Sequence, residues 1–175
     1  MSYPQGHMMV NKEPCLLQAR AIDALSSGEQ LDEAAVRAWL PSPEEAIRIA
    51  TFYHAFEILY TGSGHPALLC ASLYGRLGAW ADAQTIAEGV LALGELGMPA
   101  AFRIEAWRVL GQCRGQLDDC AGALEALQSG VAESKAPGYA WLEHLCLKDM
   151  LEWVAEEETK MLQAQIAAIS AGFKV

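Results

Sequence analysis

Residues 107–131, WRVLGQCRGQLDDCAGALEALQSGV, decide the fold. They sit within two consecutive helical patterns, Pro99 to Gln116 and Asp118 to Ser134. A second stretch, Ala67 to Leu91, is built around LYGRLGAWADA (Leu73 to Ala83) and repeats that pattern, with helices near Pro66 to Leu77 and Ala79 to Leu96. In this copy Gly78 marks the helix–helix turn and Ala83 supplies a small residue where the two helices must pack closely. The later copy carries Trp107, Leu110, Gly111, Ala123, Leu127 and Pro137 in one register.

Those letters resemble the tetratricopeptide repeat, a 34-residue helix–turn–helix unit that opens on Trp-x2-Leu-Gly and closes on Pro. Arg114 stands where the family has Tyr, and the earlier copy supplies Tyr74 at that position. The earlier copy departs at its opening, with Ala67 for Trp and Cys70-Ala71 for Leu-Gly. The resemblance implies an all-α chain folded as a short α-solenoid of antiparallel helical hairpins, three to four of them plus an N-terminal helix, with clear repeats at 64–97 and 104–137. In such proteins the first helix of each hairpin lines a concave groove that receives a partner peptide or helix. Carried onto this chain, that groove takes Leu68, Leu69, Ser72 and Arg76 from one repeat and Glu105, Arg108, Val109 and Gln112 from the next. Arg108 with Gln112 one turn later is similar to the Lys and Asn pair with which some family members hold the C-terminal carboxylate of heat-shock chaperones. The alternative for both arginines is pairing with acidic residues on an adjacent helix.

Breakers organise the rest of the chain. Residues 1–12 read as a flexible tail before a single domain over 13–175. Pro14 to Ser27 is an amphipathic helix stopped by Gly28, and Leu31 to Leu40 is a second, broken by Pro41-Ser42-Pro43. Ser42 is placed to cap a third helix from Glu44 to Tyr60, with Pro43 at its first position and Gly62-Ser63-Gly64 closing it. Steps of 34 from the clear repeats define degenerate hairpins at 30–63 and 138–171. In the latter, Trp141, Leu145 and Lys148 share the register of Trp107, Gly111 and Arg114, whereas Glu157 falls at the close-packing position. No Gly or Pro interrupts Tyr139 to Ala171, so no turn is marked within it. The extra residues near Gly94 to Pro99 extend the link between the clear repeats to 40 and read as a loop or a helix extension.

Composition bounds the function. A net charge of −10 with twelve scattered Lys and Arg argues against nucleic acid. Only 19% of residues are charged and 53% are apolar, a surplus that points either to a covered partner surface or to an alanine-rich helical core. The longest stretch without acidic or basic residues, Ile58 to Gly75, is broken by Gly62 to Pro66 and is not a membrane span. Five cysteines at no zinc or disulfide-framework spacing favour reduced thiols and an intracellular, cytoplasmic setting. Cys113 and Cys120 are expected to face each other across one hairpin, as packing residues or as a redox-sensitive pair.

The chain lacks a phosphate loop, His-Glu-x-x-His, Cys-x-x-Cys and Gly-x-Ser-x-Gly, so neither catalytic nor metal residues nor a cofactor are expected. The expected function is a non-enzymatic scaffold, adaptor or assembly subunit that binds a protein partner and forms a homo-oligomer or hetero-complex. A small repeat chaperone holding a partner's apolar segment is the alternative within that class. A helical enzyme or metal-binding bundle is the alternative outside it, and it requires two or more of His54, Glu57, His65 and His144 to converge. A second candidate interface is the helix-period stripe of Trp153, Val154, Met161, Leu162, Ile166, Ile169 and Phe173, which either exceeds what the preceding helix covers or packs inside the monomer.

Overall fold

The computed structural model describes residues 12–27, 31–55, 65–94 and 98–172, with side chains of 12–15 and 52–55 excluded. The expected tail, the end of the third helix through Tyr60, Glu57, the Gly62–Gly64 stop, Leu96 and Phe173 lie outside those residues, as do the side chains of Cys15 and His54. Among the described residues every regular element is a helix: α1 (Lys12–Ser26), α2 (Glu33–Arg37), α3 (Pro43–Ala55), α4 (Pro66–Arg76), α5 (Trp80–Leu93), α6 (Ala100–Gln116), α7 (Cys120–Glu133), α8 (Ala140–Met150) and α9 (Glu156–Gly172). The all-α expectation therefore holds.

Local chemistry sets many of the boundaries. The Asp32 carboxylate accepts from the Ala35 amide at 3.0 Å and starts α2, which spans five residues rather than the ten expected. Ser42 Oγ accepts from the Glu45 amide at 3.3 Å, with Pro43 opening α3. The turns after α4 and α6 are hydrogen-bonded alike. Leu77 donates to Leu73, Gly78 to Gly75 and Ala79 to Tyr74; forty residues on, Leu117 donates to Cys113, Asp118 to Gly115 and Asp119 to Arg114. Both turns need a left-handed residue, supplied by Gly78 (φ 72°) and by Asp118 (φ 65°).

Packing follows from small residues at the contacts. An added Cβ on Gly111 would stand 2.6 Å from Leu127 Cγ, and one on Gly130 would meet Cys146 Sγ at 3.0 Å and Trp107 Cβ at 3.3 Å. These contacts run α6 and α7 antiparallel, because residues nearer the turn pair with each other and residues farther from it pair likewise. Trp107 Nε1 and Arg103 Nε both donate to the Glu133 carboxylate, at 3.0 and 2.9 Å, and close the open end of the pair. Arg114, in place of Tyr, donates to the Gly122 carbonyl at 3.3 Å, whereas Tyr74 Oη donates to the Pro41 carbonyl at 2.9 Å. Much of the apolar surplus is consumed internally, since Ala46, Ala50, Ala67, Ala71, Ala83, Ala87, Ala106 and Ala126 all belong to the main core.

Three features depart from the expectations. First, α1, expected only as a helix ahead of the hairpins, packs against α4. Helices α1, α4, α6 and α8 touch in succession along one row, with α5 against α4 and α6, α7 against α6 and α8, and α3 against α4 and α5. The short α2 joins both through Val36, which clusters with Ala21 of α1 and with Leu73 and Leu77 at α4. Second, α8 and α9 are separated at Leu151–Ala155, where no Gly or Pro marks a break. The amides of Leu151, Glu152 and Trp153 tighten onto carbonyls three residues back, and the Trp153 ring lies over Gly115 of α6, where an added Cβ would fall 2.4 Å from Cζ2. Anchoring Trp153 ends α8, and Glu156, Glu157 and Glu158 then favour a new helix start through the helix dipole. Third, Trp141 does not pack as Trp107 does: it is 53% exposed, and α8 buries Leu142, Cys146, Leu147 and Met150. Cys113 is buried and Cys120 exposed, with both thiols free, so they share no environment as a redox pair would.

The two equivalent turns give opposite expectations on substitution. Gly78→Ala loses about 1 kcal/mol, because the cost is backbone strain alone and space is open around that position. Asp118→Gly gains about 0.5 kcal/mol by relieving the same strain, offset by unfolded-chain entropy. Urea unfolding of both variants checks the pair; equal effects of one sign would contradict the shared turn geometry.

Candidate cleft between the first helices

Successive contact of α4, α6 and α8 leaves their outward faces around a cleft of about 400 Å³. Helix α4 contributes Leu68, Leu69 and Ser72 together with His65 just before its first residue, α6 contributes Ala101, Phe102, Glu105 and Arg108, and α8 contributes Trp141, Leu142 and Leu145. Helical spacing places these groups: within each helix they recur three or four residues apart and therefore share a face. The walls are mainly aliphatic and aromatic. His65 is buried and its ring meets that of Phe102 edge-on, with centroids 5.4 Å apart.

The charged end of the cleft is formed by Glu105 and Arg108, which belong to an ion cluster linking α6 to α8. Arg108 grips Glu105 through two parallel bonds, Nε to Oε2 at 3.2 Å and Nη2 to Oε1 at 3.0 Å, while Nη1 donates to Asp149 Oδ2 at 3.0 Å. Gln112 Nε2 also donates to Asp149 Oδ2, at 2.7 Å, so one carboxylate of α8 is tied to two residues of α6. Burial works against the Arg108 charge, but Glu105 and then Asp149 outweigh it and hold the guanidinium above its ordinary range. The balance is reversed at Asp149. Burial pushes its carboxyl above the ordinary range, and Arg108 and Gln112 draw it back only in part. Two carboxylates outweigh burial at Arg108, whereas burial outweighs one guanidinium at Asp149.

Several groove residues expected from the repeat resemblance come together here: Leu69, Ser72, Glu105 and Arg108, with Leu68. Three do not line the cleft. Val109 is 3% exposed and belongs to the core, and Gln112 is turned to Asp149. Arg76 reaches over α1, donating to the carbonyls of Leu25 at 2.9 Å and Ala24 at 3.4 Å near that helix's C-terminus. Arg108 is engaged by its carboxylates, the adjacent-helix alternative, and is not posed as a carboxylate clamp. Phe102, Leu142 and Asp149 were not singled out from sequence, although the three- and four-residue spacing of Trp141, Leu142 and Leu145 marks their common face.

The C-terminal stripe is largely used inside the chain. Leu162 is buried with Leu127, Leu147 and Met150, and Trp153, Val154, Ile166 and Ile169 pack against that cluster. Met161 alone among those described stripe residues stays largely outside, at 60% exposed. His144 Nδ1 lies 3.2 Å from Ser170 Oγ and does not line the cleft that holds His65. Among the described residues no group of three His, Cys, Asp or Glu side chains is placed to hold a metal ion. Burial raises the Cys70, Cys113 and Cys146 thiols to about 12, far from a reactive thiolate. Among the same residues no helix is long and apolar enough to cross a membrane. Compared with family models, curated proteins and solved structures, the chain matches none.

The raised Asp149 carboxyl sets a sign for pH dependence. Between the unfolded carboxylate range, about 4, and the higher native value, the native state binds the extra proton, so stability contributed by this group falls as pH rises. Asp149→Asn keeps an acceptor for Arg108 and removes the titration. Wild type should therefore lose stability relative to this variant as pH rises from the unfolded carboxylate range, about 4, through the raised native value. Urea midpoints across that range measure it, and a relative gain for wild type would reverse the assignment.

Proposed function

We propose that this chain is a non-enzymatic interaction scaffold, a short solenoid of tetratricopeptide type that holds a segment of another protein in the cleft between α4, α6 and α8. The observation carrying the reading is the cleft itself: an apolar trough built jointly by three non-consecutive helices, rimmed by the exposed Trp141 and bounded by a charged cluster. Its volume of about 400 Å³ lies near the lower end of the range for ligand pockets, about 300–1,000 Å³, and suits large apolar side chains projecting from a peptide or helix. Exposed aromatic groups beside apolar hollows are favoured anchors for such contacts. The forty-residue correspondence of the two turns and the row of first helices support the solenoid reading.

The adaptor reading is tested by affinity capture from cells that make the protein, comparing wild type with Trp141→Asp and Leu145→Asp variants that retain wild-type thermal unfolding. A protein recovered by wild type should fall at least tenfold with either variant, corresponding to about 1.4 kcal/mol or more. Undiminished recovery of every captured protein would remove the cleft as the binding surface.

A further inference from the structure

Resting on the interaction reading above, we infer that the captured segment carries large apolar side chains and, beside them, a lysine or arginine that settles against Glu105 at the charged end of the cleft. The apolar requirement comes from Leu68, Leu69, Phe102, Leu142 and Leu145, which leave few polar groups for a polar ligand to satisfy. The cation requirement comes from charge. Glu105 and Asp149 bring two negative charges to one guanidinium, and Gln112 adds a hydrogen bond without charge.

Among the described residues the nearby Lys and Arg side chains other than Arg108 are committed elsewhere or point away. Arg76 is turned onto α1, Arg103 pairs with Glu133, and Lys135 pairs with Glu143. Lys148 is exposed and adjoins Asp149 in sequence, which sets it about 100° around α8. Covering the cleft with a purely apolar segment would withdraw an unbalanced carboxylate further from water, a costly change. A partner cation balances it, and the chain's net charge of −10 steers basic segments toward the molecule. A segment bearing an acidic group at the same place would be repelled.

Selection of a random-sequence peptide display library on the full chain tests this, followed by affinity measurements of the selected peptides on wild type, Leu145→Asp and Glu105→Gln. The expected peptides lose binding to Leu145→Asp, combine two or more large apolar residues with Lys or Arg, and bind Glu105→Gln about tenfold more weakly. Glu105→Lys provides a second variant and should turn selection toward acidic peptides. Peptides that require Leu145 but show no enrichment of basic residues, or lose nothing with Glu105→Gln, overturn the cation inference and leave the cleft reading standing. Failure to select any peptide that depends on Leu145 overturns both. Thermal unfolding of each variant separates lost binding from lost folding.

Discussion

Close approach of helices is the constraint on which the remaining structure depends. Gly111 lies under Leu127, Gly130 lies under Trp107 and beside Cys146, and Gly115 lies under Trp153. Side chains at Gly111 and Gly115 would overlap their neighbours and one at Gly130 would crowd them, so this close approach of the helices depends on those positions being empty. Trp153 then fixes where α8 ends, and Cys146 fixes how α8 meets α7. The position of α8 beside α6 follows, and with it the third wall of the cleft.

The ion cluster works at that same joint. Arg108, Glu105, Asp149 and Gln112 link α6 to α8 by directed bonds where apolar packing alone would leave spacing less defined. Breaking one partner of such a buried pair costs more than the pair contributes, because it leaves a charge uncompensated. The cluster therefore sets the distance between two cleft walls.

The legible part of the fold was the part governed by local rules. Gly78, Ser42-Pro43 and the helical spacing of α4 to α7 report backbone preferences that act within a few residues, and the elements appear near the expected boundaries. Leu69, Ser72, Glu105 and Arg108 were placed on one surface by the repeat register, and they do share the cleft. What sequence left hidden depended on long-range contacts. The α8–α9 break coincides with the contact of Trp153 on α6, α1 joins the row of helices by packing against α4, and Asp149 matters only because α8 brings it to Arg108. The step of 34 misjudged Trp141 for the same reason: α8 buries the face through Leu142, Cys146 and Leu147, which leaves the tryptophan on the rim.

Under the proposed function the α4–α6–α8 face, and not the C-terminal helix, carries the partner. Site-specific photo-cross-linking in the cells of origin reads this directly, with a benzophenone side chain placed at Leu145 in the cleft or at the exposed Gln163 on α9. The account predicts a discrete adduct with another protein from position 145 and none from position 163. An adduct from position 163 with none from position 145 would contradict it.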